Sequence, residues 1–271
     1  LPAFICITCG TQYAPSAQPP AHCRICEEER QYVNIDGQQW ATLDELRESG
    51  RYSNRIEQIS ERIYSITTAP KFAIGQTAYF IKGQKVNLLW DAVTFLDEET
   101  SRFFEQQGGI DAIALSHPHY YCAVAEWSEE FKADVYIHEA DAEWIVNPGS
   151  RFELWSGKSL QLSEEFTLHQ LGGHFAGAAI AHADIGKGIV FSGDVIQVAS
   201  DRNWTSFMYS YPNMIPLPIP VIKRMKQDIS RLVFDELYNA FDRKVAPDAK
   251  EKVLKSADRY IQALNGELFD T

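Results

Sequence analysis

The chain has 271 residues, 45% of them hydrophobic and 23% charged. That is enough apolar surface for a sizeable core, and the composition excludes wholesale disorder and collagen-like or coiled-coil architecture. Against 37 Asp and Glu stand 25 Lys and Arg, a net charge of −12, so the surface repels phosphate backbones and anionic lipid, and neither nucleic acid nor membrane is an expected partner. No apolar run reaches the roughly 18 residues of a membrane helix. The opening LPAFICITCG has no basic leader and does not read as a signal peptide, which gives the expectation of a cytoplasmic location.

Residues 1–30 read as a separate module, with a larger domain over 31–271. Cys6-x2-Cys9 and Cys23-x2-Cys26 are two knuckles of the spacing used by four-thiolate metal sites. The linking GTQYAPSAQPPAH is too poor in apolar residues to fold alone, and a metal would supply the missing core. Zinc is the expected ion. The Cys-x2-Cys-Gly run followed by a tyrosine also resembles rubredoxin, which leaves iron open. Two disulfides or a pair of redox motifs are the alternatives. His22, beside Cys23, reads as a bystander. A protein partner through this knuckle is also an expectation.

Farther along, Thr42 is a helix N-cap with Leu43 and Leu46 on one face. Extended segments fall near 62–66 and 77–82. KVNLLWDAV follows, then a helix in LDEETSRFFEQQG ending at Gly108–Gly109. IDAIALS is a buried strand that stops at His117-Pro-His119. A helix is expected over 121–132, a strand at DVYIHEAD, and short strands at FELWSGKSLQL, FTLHQLG, GAAIAHAD and KGIVFSGD. After the proline-broken YPNMIPLPIP, helices are expected at 221–238 and 249–264. This order suits helix layers on two β-sheets.

The chemistry gathers at strand ends. Residues i and i+2 of an extended chain point the same way, so His117 and His119 present two imidazoles to one ion. His174 lies in the soft loop Gly172-Gly173-His174-Phe175-Ala176-Gly177, and Asp194 ends the apolar strand IVFSGD. His138, His169 and His182 lie in strands and read as structural, His169 with a possible outer role toward the glycine loop. Asp201–Trp204 and Met208–Asn213 are candidates for a pocket rim through Arg202, Trp204 and Tyr209. The chain contains neither a GxxxxGK[ST] phosphate loop nor a GxSxG nucleophile elbow.

ALSHPHYYC, LGGHFAGAAI and GIVFSGDVI together resemble the metallo-β-lactamase-fold hydrolases, from about residue 60 to the C-terminus. The resemblance implies an αββα four-layer sandwich, with a small N-terminal metal knuckle outside it. It implies that His117, His119 and His174 hold the first metal and that Asp194 bridges or approaches it. The family's H-x-H-x-D-H motif departs here: Tyr121 takes the aspartate position and Cys122 the second-site histidine position. The family's last histidine is missing, with Asn239 or Ala240 near its expected place. A two-metal clamp is therefore not expected. The reading is a mono-zinc hydrolase, with zinc or iron at the histidine site, acting on a small ester, thioester or lactone. A non-catalytic ligand- or partner-binding protein is the alternative, and redox or iron chemistry a weaker third.

Overall fold

A computed structural model describes residues 1–149 and 151–270 and divides the chain into two compact units, Leu1–Trp155 and Ser156–Thr271. In the first unit, β1 (Phe4–Cys6) pairs antiparallel with β2 (Trp40–Thr42), which runs into α1 (Leu43–Glu48). Thr42 caps that helix as expected: its hydroxyl accepts from Glu45 N–H while the Glu45 carboxylate accepts from Thr42 N–H, a reciprocal capping box. Leu43 and Leu46 are the buried face.

Seven strands form the unit's main sheet: β3 (Ser53–Gln58), β4 (Ile63–Ala69), β5 (Ala78–Ile81), β6 (Leu88–Trp90), β7 (Ala112–Ala114), β8 (Asp134–His138) and β9 (Phe152–Trp155), neighbours in that order. The first four are antiparallel and the last four parallel. The crossovers carry α2 (Glu98–Gln106), capped by the Asp97 carboxylate on Thr100 N–H, and α3 (Val124–Phe131). Gly108 and Gly109 follow α2 with positive φ, the stop that the sequence signals. The helix expected over 121–132 starts only at Val124, because Pro118 opens one 3-10 turn and Cys122 adopts a left-handed φ of 45°. Phe104 is fully buried and meets Phe80, Phe103, Trp127 and Phe131 edge-on at 5.0–5.8 Å between ring centres, the favoured aromatic geometry.

The second unit holds a six-stranded sheet. Its strands are β10 (Ser159–Gln161), β11 (Phe166–Gln170), β12 (Ala179–Ala183) and β13 (Ile189–Phe191), then β18 (Glu236–Tyr238) and β19 (Lys244–Val245). Between β13 and β18 run two small hairpins, β14 (Gln197–Val198) with β15 (Thr205–Ser206) and β16 (Met208–Ser210) with β17 (Ile215–Pro216). Helices α4 (Ile219–Ser230) and α5 (Ala249–Leu264) pack on one another, and α5 has the span expected from its pattern. The helix expected through Tyr238 ends at Ser230 instead. Glu236–Tyr238 becomes a strand parallel to β13, where Leu237 and Tyr238 are buried. Among the described residues no helix is long and apolar enough to cross a membrane.

Truncating the ring at the centre of the first unit's aromatic cluster, Phe104→Ala, should cost about 3–5 kcal/mol. Urea unfolding followed by tryptophan fluorescence measures it.

Candidate metal centres

The four knuckle cysteines converge. Their sulfurs all lie within 4.8 Å of one another, and all four side chains are buried. Cys6 Sγ is 3.5 Å from Cys26 Sγ and Cys9 Sγ is 3.6 Å from Cys23 Sγ, so the short pairs join one knuckle to the other. A disulfide needs about 2.05 Å, whereas four sulfurs about 2.3 Å from a central ion stand about 3.8 Å apart. Protonation points the same way. Cys6 and Cys23 are pushed down, mainly by hydrogen bonds from neighbouring thiols. Cys9 is pushed up, chiefly by burial, and Cys26 chiefly by its bond to Cys23. Gln38 Nε2 donates to Cys6 Sγ at 3.1 Å. The donor set fits a tetrahedral metal. His22 stays outside it, exposed and paired with Glu27.

In the first unit, parallel β6 and β7 end side by side, with Trp90 opposite Ala114. Asp91 and Ser116 lie just past those ends, where a parallel sheet presents its functional loops. Asp91 is fully buried. Its carboxylate accepts from Ser116 N–H at 2.7 Å and from the Ser116 hydroxyl at 3.0 Å. Having given up its single hydrogen, Ser116 Oγ accepts from His117 Nδ1–H at 2.9 Å. That fixes the tautomer, and Nε2 of His117 carries the lone pair. His117 then leads into the 3-10 turn Pro118–Tyr120, and the ring of His119 lies 5.1 Å from that of His117. Both imidazoles are buried.

In the second unit, His174 follows β11 in the glycine loop. Gly173 there has φ +88°, and a Cβ would meet Leu217 Cδ1 and Met225 Sδ at 2.9 Å, so the loop packs down only with glycine at this position. His174 Nδ1 faces the carbonyl of Met208 at 3.2 Å. A carbonyl only accepts, so Nδ1 carries the hydrogen and Nε2 the lone pair. That Nε2 lies 3.7 Å from Asp194 Oδ1, too far for a hydrogen bond and within the span of two ligands held at about 2.0–2.2 Å from one ion. Asp194 leaves β13 through a turn pinned by Ser192 Oγ to Ile196 O and by Ala240 N–H to Gly193 O, both at 2.8 Å.

The residues that replace the family's second-metal ligands are used elsewhere. Tyr121 belongs to the first unit's hydrophobic core, and burial holds its phenol protonated well above the ordinary range. The Cys122 thiol accepts from Gln76 Nε2 at 2.8 Å and is pushed up to about 12 by burial. Asn239 ties Gln197 with its amide N–H and accepts from Phe241 and Arg243 N–H, while Ala240 offers no donor atom. His138 caps the turn after β8 by accepting from Ala140 N–H, its ring against Trp155. His182 donates to Val233 O, and His169 stands beside it. Of the expected rim, Arg202 is exposed and Trp204 lies under Arg259 of α5. The Tyr211 ring stands 5.9 Å from that of His174. Asp91, Ser116 and the Met208 carbonyl were not legible as functional. Asp91 had one usable signal, since it ends an apolar strand as Asp194 does.

Two mixed sheets with histidines and aspartates at their strand ends define a metal-binding α/β protein. The sequence profile described as the Metallo-beta-lactamase superfamily matches residues 73–254, and the chain belongs to that superfamily, with the αββα fold class expected from its motifs. The four-cysteine knuckle precedes the matched region. The DIM-1 metallo-beta-lactamase shares the fold at TM-score 0.59 and 15% identity, over 76% of this chain and 97% of that one. FIM-1 from Pseudomonas aeruginosa, solved in its mono-zinc form, does so at 0.54 and 13%, over 76% and 95%. Uncharacterized protein YmaE of Bacillus subtilis (strain 168) is 50% identical over 274 residues, all of both chains.

Removing the hydroxyl that orients His117, by Ser116→Ala, should weaken metal binding at that histidine about 10–100-fold, read by competition with a chromophoric chelator. The Cys122 thiol gives a second test. Its proton is held to about pH 12 when folded against an ordinary 9.0, so the native state binds more protons than the unfolded state in between. Stability is full below the lower value and declines as pH rises toward the upper. Denaturant midpoints across that range should fall more steeply for the parent than for Cys122→Ala.

Proposed function

We propose that His117, His119 and His174, as neutral imidazoles, and Asp194, as a carboxylate, form one metal centre, and that the protein is a mono-zinc hydrolase of a small ester, thioester or lactone. The observation that carries this reading is the fixed tautomers. Ser116 Oγ and Met208 O each hold an Nδ1–H, which leaves His117 and His174 with Nε2 as the ligand atom. Three imidazoles are a usual protein complement of catalytic zinc. A divalent ion held there supplies Lewis acidity toward a carbonyl and toward water. Asp91 and Ser116 orient the first imidazole, and the Met208 carbonyl orients the third. With an ion bound, Asp194 would hold it or would accept a hydrogen bond from water there, the duty that the missing aspartate has in the full motif. Tyr121, a buried phenol, does not serve as base.

The mono-zinc form of FIM-1 supports one-ion occupancy on this fold. The four cysteines take a second, structural zinc. A cytoplasmic location remains part of this proposal. The competing reading, a ligand-binding protein without turnover, draws on Tyr121 in the aspartate's place.

Elemental analysis of protein purified without added metal should count two zincs per chain. His117→Ala should lose one and Cys6→Ala the other. A panel of esters, thioesters, lactones and phosphodiesters should show turnover that His174→Ala abolishes. Two zincs with no turnover on any of them would favour the binding protein, and one zinc that added metal does not raise would end the hydrolase reading.

A further inference from the structure

We propose that the cysteine knuckle, acting through Gln12, is a positioning element for the His117–His119 loop, so that metal on the four sulfurs sets how tightly the histidines hold theirs. This rests on the metal-centre reading above, and its observations all lie within the first unit.

Gln12 follows Cys9-Gly10-Thr11 and is 1% exposed. Its backbone N–H donates to the carbonyl of Cys122 at 3.0 Å, three residues beyond His119. Its side-chain amide donates to Glu126 Oε1 on α3 and accepts from Asn147 Nδ2, both at 2.9 Å. The carbonyl of Gly10 accepts from Thr94 Oγ1 at 3.0 Å, three residues beyond Asp91. One short stretch of the knuckle therefore grips both segments that build the His117 half-site: the one with the orienting carboxylate and the one with the imidazoles. The fit is close, since a Cβ on Gly10 would stand 2.4 Å from Thr94 Oγ1.

The segment gripped is one that needs holding. Cys122 sits at φ +45°, a left-handed region that a residue with a side chain adopts only at a cost. A bond to its carbonyl from outside the loop offsets that cost. The gripping stretch is in turn shaped by the sulfur ligands. Gly10 N–H donates to Cys6 O at 2.7 Å, Cys6 N–H donates to Thr11 O at 3.0 Å, and Cys9 Sγ lies 3.4 Å from Thr11 Oγ1. Residues 9–12 are threaded between two cysteines that one ion would fix. With the ion gone, the apolar-poor linker has no core of its own. The grip on Cys122 then loosens, and the two imidazoles lose their common aim.

The test uses the full-length zinc-loaded protein. Gln12→Glu sets a carboxylate against Glu126 while leaving every sulfur in place. Zinc affinity at the histidine site, from chelator competition, should fall at least about tenfold, with the cysteine zinc retained and Tm close to the parent's. The double variant Gln12→Glu/Glu126→Gln restores an amide–carboxylate bond with its direction reversed, and it should recover the affinity. Cys6→Ser/Cys26→Ser, which empties the knuckle, should weaken the histidine site as Gln12→Glu does. In both weakened proteins amide hydrogen exchange should quicken across residues 116–124. Histidine-site affinity equal to the parent's in Gln12→Glu and in the cysteine double variant would overturn the proposal. So would a Gln12→Glu/Glu126→Gln protein that stays as weak as Gln12→Glu. A parent that takes up zinc only on its cysteines overturns the metal-centre reading itself, and the parent's metal count separates that result from the others.

Discussion

The first metal half-site depends on a single serine hydroxyl. Ser116 stands between a fully buried carboxylate, Asp91, and the imidazole of His117. A carboxylate stripped of water costs several kcal/mol unless its lone pairs are satisfied, and Ser116 satisfies it twice, through backbone and side chain. Once its hydrogen is committed to Asp91, the same oxygen can only accept from His117. The charge therefore acts on the imidazole by dictating which nitrogen bears the proton. Two adjacent parallel strands make this geometry available, because their ends stop within one residue of each other.

What was legible in the sequence follows from how each feature is encoded. The knuckle was readable because two short Cys-x2-Cys spacings carry their own geometry. His117 and His119 were readable because a buried apolar strand stops at them, and Asp194 for the same reason. Ser116 and Asp91 escaped, since 25 positions separate them and only strand pairing makes them neighbours. The Met208 carbonyl escaped because any residue type supplies a carbonyl. Glu236–Tyr238 was read as helix because its apolar residues continued the pattern of α4. Pairing with β13 overrode that pattern, a tertiary choice that no local window contains.

The departures from the family motif make physical sense as a set. An aspartate at position 121 would put a charge among Tyr121's present neighbours in the apolar core. A histidine at 122 would have to replace a small thiol packed on Gln76. Asn239 has become a turn clamp. In this chain each of these positions serves packing or turn geometry, while the four cysteines converge in the N-terminal knuckle.

The strand β16 does two things at once. Its first residue, Met208, lends the carbonyl that aims His174, and its far end leads into a hairpin tip where Met214 is 81% exposed with φ +56°. Exposed tips of this kind tolerate sequence change more readily than the strands that carry them. Here, any exchange that shifts the strand also swivels an imidazole. The tip is thereby coupled to the aim of His174, because both hang on the same short strand.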